Sequence, residues 1–560
     1  MAKGTIYRRH LLRSAFLLAL CFLLSSSSQG QASFFSKYFE DVKKQRVELE
    51  PTRIDGIIKE GKVYISSQQI VEMALRQNLD INLQRYSYLS DFWVVKKGKS
   101  IYDPVGRFGL NWDRATTPTA SVLEGGTSVT NITTSYNYGY QQNYSTGTSF
   151  EVNFTGVRNR STSFFASLTP AINTHFEVIL RQNLLEGFGR VAGDYEIEIS
   201  NNNLKRSQQE FQHQAHEIIL EALNWFYELQ FSILDIKVKG KSLQLAQTVL
   251  QQNQARFQVG SAAHLEVVEM EAEVASRNEE LIRSKFNYRR NQDQLVRLIT
   301  DYKDPREFPG QIVPSDNLQI PEVVSSSFDQ LYKQALRLRP EIQQAELNIA
   351  NNKLNLDLSR NRLLPQLDLV AGYQQFGLGG RRMILDFSQG FTNAHVVGIV
   401  PGGLGDSFSG LFSRDFYGHI LGLDLRVPIF NTEAQAENAR AQIGVERSEL
   451  ARKSLAQRIA TEIRDVLTQI EMNRASLEAS DATIRFTRER LEGEQARFEA
   501  GSGTTRELVE TQRDLLQAEL VLLRAQVDLI KSYNLLDRSL GLTFNQHNVR
   551  LSEIINTNVH

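Results

Sequence analysis

The chain is short of four things, and each shortage removes a class of answer. Its 560 residues include one cysteine, Cys21. That residue sits in an apolar run, Ser14–Leu24, which follows Lys3, Arg8, Arg9 and Arg13 and precedes Gly30-Gln31-Ala32. This is the pattern of a secretory signal, with cleavage expected after Ala32. The mature chain is then expected to carry no disulfide framework and no thiol chemistry. Leu20 before the cysteine also does not suit a lipid anchor.

Long apolar runs are lacking too. Past the signal, no stretch reaches the ~20 charge-free apolar residues of a membrane helix. The best, Ile218–Ile236, is interrupted by Glu221, Glu228 and Asp235. If the mature chain crosses a membrane, it must do so as strands of a closed barrel. Charge of one sign is not in excess: the net charge is −1, which leaves no electrostatic footprint for nucleic acid. Catalytic groupings are also missing. His213 and His216 stand three apart, but no carboxylate or cysteine cluster joins them, and an exposed helical face accounts for them better than a metal does. Gly377-Leu378-Gly379-Gly380 lacks the lysine and the strand–turn–helix setting of a phosphate loop. Neither an enzyme, nor a cofactor, nor a metal centre is expected.

What the chain does have is a phrase used twice. Gln254-Ala255-Arg256-Phe257-Gln258-Val259-Gly260-Ser261 returns as Gln495-Ala496-Arg497-Phe498-Glu499-Ala500-Gly501-Ser502. A second anchor, Ala74-Leu75-Arg76 with Ile81, recurs as Ala335-Leu336-Arg337 with Ile342. An internal repeat of this length overrides any domain count from chain length. The anchors lie 186 residues apart in the first half (Ala74 to Gly260) and 166 in the second (Ala335 to Gly501), so the first half is the longer between its anchors.

Helical and strand-like stretches alternate within each half. After the second glycine, leucines recur every seventh residue, at Leu508, Leu515, Leu522, Leu529 and Leu536, beside a stripe of Val509, Leu516, Leu523 and Ile530. The first half answers with Val267, Val274, Leu281, Tyr288 and Leu295. A 3.5-residue period is that of helices packed knobs into holes. The helices entering the turns, about 191–258 and 433–499, reach ~100 Å at ~1.5 Å per residue. Period-2 alternation marks strands near Val105–Trp112 and Thr174–Leu180, and again near Leu364–Tyr373 and His419–Phe430, with a Gly- and Phe-rich loop containing residues 377–380 between the last two. Tyr136, Tyr138 and Tyr140, with Phe150, Val152 and Phe154, mark further alternating pieces. These fit either an extra hairpin beyond a membrane or additional wall strands.

On these residues the chain resembles the TolC-type outer-membrane efflux proteins of Gram-negative bacteria. The resemblance rests on the two-fold repeat, the Ala-Leu-Arg helix before each strand pair and Arg-Phe-x-x-Gly-Ser at each turn. It also rests on Leu363-Leu364-Pro365-Gln366-Leu367 and Val427-Pro428-Ile429-Phe430. It implies an α+β membrane protein: a homotrimer in which four strands per chain make a twelve-stranded barrel in outer-membrane lipid, continued by long antiparallel coiled-coil hairpins as a periplasmic α-barrel. The implied layout is a signal at 1–32, a periplasmic extension at 33–64, and a first repeat at 65–300 with strands about 105–182 and a turn at 258–263. An equatorial linker follows at 301–328, then a second repeat at 329–540 with strands about 364–430 and a turn at 499–504, and a tail at 541–560. The implied function is a passive exit duct of a tripartite efflux or type I secretion system, partnered by a periplasmic adaptor and an inner-membrane transporter. Drugs, metal ions and polypeptides all stay open as cargo. A periplasmic coiled-coil scaffold without channel activity is the alternative, and a partnerless porin is disfavoured by the long hairpins.

The resemblance places the repeated turns at the tip that docks the adaptor: Arg256, Gly260, Ser261, Arg497, Gly501, Ser502 and Gly503. Glycine there permits positive φ where one helix ends, and Ser261 or Ser502 is expected to cap the next. Arg506, Glu507 and Glu510 are the candidates for the periplasmic entrance. Three-fold symmetry would turn the two acids into carboxylate rings that favour cations and whose crowding raises some of their pKa values. Glu266 and Glu269 hold the matching places in the first half and read more simply as a solvated helical face.

Overall fold

The structure is a computed structural model that describes residues 58–59, 61–119, 126–164, 166–321, 326–386, 388, 395–500 and 502–549. The expected signal, most of the extension at 33–64, Gly501 and the end of the C-terminal tail lie outside the described residues.

Alternation in the sequence becomes a single antiparallel sheet. Its strands are β3 (Val105–Pro118), β4 (Ser128–Asn143), β5 (Thr148–Ser161), β6 (Leu168–Asn183), β8 (Gln366–Asp386) and β10 (Tyr417–Arg426), in the spatial order β10-β8-β6-β5-β4-β3. A short β9 (His395–Val400) pairs with the far end of β8. Six strands therefore stand where the resemblance implies four. The difference is the hairpin β4–β5, which carries the excess length of the first half and separates β3 from β6.

The pairing keeps the two faces distinct. Phe108, Tyr138, Phe154 and Phe176 are successive cross-strand partners, and such partners share a face. Leu110, Trp112, Val178 and Leu180 join that face, as do Leu421, Leu423 and Leu425 of β10. The opposite face carries Asn111, Asn137, Asn153, Glu177, Arg181 and Asp424. Leu421 is 81% exposed and Trp112 67% exposed in the single chain.

Two strand expectations are corrected. Residues 377–380 form no loop; they belong to β8. They are glycine-rich because a short helix, Leu404–Phe412, lies across them: a Cβ on Gly377 would stand 2.0 Å from the Ser407 carbonyl oxygen, and one on Gly379 2.3 Å from that of Gly403. Ser407 pairs with Thr174 at 2.7 Å, and Phe408 stacks on Phe154 at 5.6 Å, so the helix sits on the apolar face. The exit strand ends at Arg426, before Val427-Pro428-Ile429-Phe430. Pro428 has no N–H to extend the ladder.

Below the sheet, each half supplies two short helices and a long hairpin. The first half has α1 (Ser67–Gln77), α2 (Leu79–Lys99), α4 (Tyr195–Gln258) and α5 (His264–Ile299), with a single turn α3 (Arg190–Gly193) before α4. The second has α6 (Phe328–Leu338), α7 (Pro340–Asn361), α9 (Thr432–Glu499) and α10 (Thr505–Leu540), with α8 (Leu404–Phe412) the helix on the sheet. Among the described residues, no helix is long and apolar enough to cross a membrane.

The α9–α10 seam explains the strict leucine spacing. On α10, Leu508, Leu529 and Leu536 are buried, and so are the intervening small residues Thr511, Ala518, Ala525, Ser532 and Ser539. Small residues between the leucines let the partner helix approach closely. The repeated anchors are core: Ala74, Ile81, Ala335 and Ile342 are all essentially inaccessible. Leu331, Ala335 and Ile342 cluster with Ile459, Ile463 and Val466 of α9 and Leu529, Tyr533 and Leu536 of α10.

A small sheet lies against the first hairpin. β2 (Lys62–Ile65) pairs antiparallel with β1 (Ile58–Lys59) and parallel with β7 (Gln311–Pro314), so the end of the N-terminal extension and the linker after the first repeat meet here. The Tyr288 hydroxyl of α5 donates to the Ile312 carbonyl at 3.1 Å.

An ionic cluster joins the two halves. Arg538 bonds Glu217 of α4 and Glu462 of α9. Arg339 bonds the same Glu462 at 2.6 Å and Glu341 at 2.6 Å. Burial pushes the Glu341 carboxyl up, but Arg339 overcomes this and holds it down at about 2. His216 is buried against the Phe544 ring at 4.2 Å, so it does not lie on an exposed face; burial lowers it to about 4. Burial raises Asp537 from 3.8 to about 6.

Two outcomes are expected. Gly377→Val should displace the helix 404–412 and expose residues 401–416 to limited proteolysis, whereas Gly422→Ala, with nothing within 4 Å of its added Cβ, should not. Asp537 has a raised folded-state pKa, so its contribution is full below the unfolded value and is lost as pH rises through about 6. Asp537→Asn should therefore raise Tm at pH 7.5, by up to ~3 kcal/mol of stability, and give no gain at pH 3.5. An equal shift at both pH values would refute this.

Candidate functional site

The duplicated turns lie at the end of the hairpins away from the sheet. In the first, the Gly260 N–H donates to the Phe257 carbonyl at 2.9 Å and the Ser261 N–H to the Arg256 carbonyl at 2.8 Å. This crossed pair is a Schellman closure, and it needs the left-handed backbone that Gly260 adopts at φ 77°. A Cβ there would meet nothing within 4 Å, so the tip is open around it.

The serines act differently from expectation. The Ser261 hydroxyl donates back to the Arg256 carbonyl at 3.0 Å, and the Ser502 hydroxyl to that of Arg497 at 3.1 Å. Each therefore closes the helix behind it and does not cap the one ahead. In the second turn that cap is Thr504, whose hydroxyl accepts from the Glu507 N–H at 3.2 Å while the Glu507 carboxylate accepts from the Thr504 N–H at 3.1 Å. This is a complete capping box. These bonds hold the Glu507 carboxyl below the usual range in the single chain. In the first turn Ala263 stands at the cap and offers no side-chain acceptor.

In the second turn a Cβ on Gly503 would lie 3.0 Å from the Phe498 nitrogen. The Arg497 guanidinium pairs with Glu494 at 2.9 Å. The two copies of the phrase also touch, because the Arg256 guanidinium lies over the Phe498 ring at 4.6 Å.

Between the hairpins runs a groove of about 740 Å³. Arg256, Glu266, Glu269 and Glu273 line it from the first half, and Gly503, Arg506, Glu510 and Arg513 from the second. Arg506 and Glu510 are thus brought together with the acids of the first repeat. Glu507 is not among the lining residues; its carboxylate is turned to the cap. Sequence reasoning missed Asn253, Glu273 and Arg513. Asn253 is 1% exposed, and its side-chain oxygen lies 3.5 Å from the Thr505 hydroxyl across the groove. No periodicity along one helix reports the register of α4 and α5 against α10, which is what places these three.

Farther along the same interface, Glu228 of α4 receives Arg524 at 3.0 Å and Lys531 at 2.7 Å from α10. Burial acts to raise Glu228, but the two cations prevail and its carboxyl is held low.

Residues 331–542 match the family model described as outer membrane efflux protein. No curated protein matches the sequence. Among solved structures, the CmeC outer membrane channel of Campylobacter jejuni superposes with a TM-score of 0.60 at 15% identity, over 92% of this chain and 93% of that one. The outer membrane protein VceC of Vibrio cholerae gives 0.57 at 12% identity, over 85% and 96%. The open-state MtrE outer membrane channel of Neisseria gonorrhoeae gives 0.55 at 15%, over 90% and 97%. The described fold is therefore that of outer-membrane efflux channels, and the second repeat carries the family's sequence pattern.

Thr504→Ala should cost about 1 kcal/mol at the second tip and speed amide exchange at residues 505–508, while Ala263→Ser should slow exchange at 264–267. Equal exchange in all variants would show that the caps do not control the tips.

Proposed function

We propose that this chain, which shares the efflux-channel fold and in its second repeat the family's sequence, is the outer-membrane exit duct of an efflux or secretion assembly. It conducts solutes or polypeptides passively from a periplasmic adaptor and inner-membrane transporter to the exterior. The observation that carries this reading is the two-faced sheet set on ~100 Å hairpins. The face bearing Phe108, Trp112, Leu421 and Leu423 suits lipid and the face bearing Asn137, Asn153 and Glu177 suits a water-filled bore. The scaffold alternative would leave Leu421, at 81% exposure, and its neighbours in water.

Both edges of the sheet, β3 and β10, carry unpaired backbone groups that lipid cannot satisfy. A homotrimer closes them. The tips then form the periplasmic mouth, with Arg256, Gly260, Ser261, Arg497, Gly501, Ser502 and Gly503 presented to the adaptor. The gate is the groove between hairpins: Arg506 and Glu510 face Glu266 and Glu269, and opening slides one hairpin from the other. Glu507 supports the gate by ending the second turn.

The test is export. Gly260→Trp, whose side chain enters open space at a left-handed backbone cost of about 1–2 kcal/mol, should leave trimers in the outer membrane and reduce export at least tenfold. Gly260→Asn, which tolerates that backbone, should keep export. Full export would remove the tip from the docking role, and a soluble monomeric wild type would remove the duct itself. Arg506→Glu adds like charge to the groove and should raise resting conductance in planar bilayers.

A further inference from the structure

The hairpin β4–β5 is built as wall. β4 is paired with β3 from Ser128 to Gln141, and β5 with β4 and β6 along nearly its whole length. Its turn lies level with the base of the sheet, where helices begin: the Gly189 N–H donates to the Thr146 carbonyl at 3.1 Å, and the Asn183 N–H to that of Gly147 at 3.1 Å. The face alternation also passes through it in phase. The row Phe108–Tyr138–Phe154–Phe176 stays on one face, and Asn153, Glu177 and Gln374 form a polar row on the other. A loop folded outside the barrel needs neither the shared register nor the shared phase.

We infer that β4 and β5 are inserted into the pore wall itself, so that the trimer closes on eighteen strands, with β10 of one copy beside β3 of the next. This rests on the trimeric reading above. The join is antiparallel, because β10 runs toward the helices and β3 away from them. The strand total stays even, and the apolar face stays continuous across it.

The consequence is width. At ~4.8 Å strand spacing and a tilt of ~40°, eighteen strands give a backbone diameter of about 36 Å and twelve give about 24 Å. Barrels of 16–18 strands leave an aqueous channel. The bore is expected to admit cargo too bulky for a twelve-stranded barrel, such as polypeptides with compact structure, as well as small solutes.

The polar row supplies the test. Gln374→Cys and Asn153→Cys, each in a Cys21→Ala background of the full chain, would be spin-labelled in detergent-extracted trimers and the distances measured by pulsed dipolar spectroscopy. The wider barrel predicts that equivalent backbones lie about 31 Å apart at both positions, since a three-fold axis separates copies by √3 times the radius. About 21 Å at Gln374 overturns the inference, as does a distance at Asn153 that departs from the one at Gln374. Mass measurement of the same samples keeps the two readings distinguishable. Three copies with the short distance reject only the eighteen strands, whereas any other copy number rejects the trimer.

Discussion

The seam between the two helices of each hairpin holds everything else in place. Neither hairpin has a globular domain to lean on over most of its length, so the position of the tip and of the sheet both depend on one helix staying in register with its partner. Leucines alternating with Thr511, Ala518, Ala525, Ser532 and Ser539 supply that register on α10. A polar pair marks it: the Asn473 amide donates to the Ser532 hydroxyl at 2.6 Å in the second hairpin, and the Asn291 amide to the Ser232 hydroxyl at 2.8 Å in the first. The two pairs occupy matching repeat positions with asparagine and serine exchanged. A buried amide bonded at only one level penalises slippage, which a uniform apolar stripe does not.

Between hairpins ionic bridges are added to an apolar lining that includes Val238, Leu245, Met270, Leu515 and Leu516. Glu228 with Arg524 and Lys531, and Glu217 with Arg538, join helices that belong to different repeats, while Glu462 ties Arg538 to α9 of its own repeat. Charged contacts of this kind weaken when one element slides and re-form elsewhere, whereas a leucine seam resists sliding. The distribution suits a molecule whose hairpins move as units against one another. Toward the tips the interface opens into the groove lined by Glu266, Glu269, Arg506 and Glu510, where the entrance is proposed.

At the other end the sheet obeys a different rule. Most strands have one apolar and one polar face, and the faces agree across the sheet because antiparallel pairing keeps partners on the same side, while β8 is mixed, with Phe376 and Leu378 on the polar face. The glycines at 377 and 379 break the alternation for a local reason: the helix 404–412 lies against them and leaves no room for a side chain.

Much of this was legible in the linear chain. Duplication, hairpin turns, the leucine seam and two-faced strands are all periodic or repeated features, and periodicity survives in one dimension because it is imposed by the geometry of each element alone. The number of wall strands was open until the register of β4 and β5 was known, since a hairpin outside the barrel and one within it show the same alternation. The capping role of Glu507, the backward bonds of Ser261 and Ser502, and the burial of His216 all depend on where neighbouring backbone and rings lie. So does the meeting of Glu266 and Glu269 with Arg506. The sequence alone determined the duplication, the long hairpin helices and the two-faced character of most strands. Tertiary structure decided which strands stand side by side and which charges face one another, because those depend on the relative register of segments that can be more than two hundred residues apart.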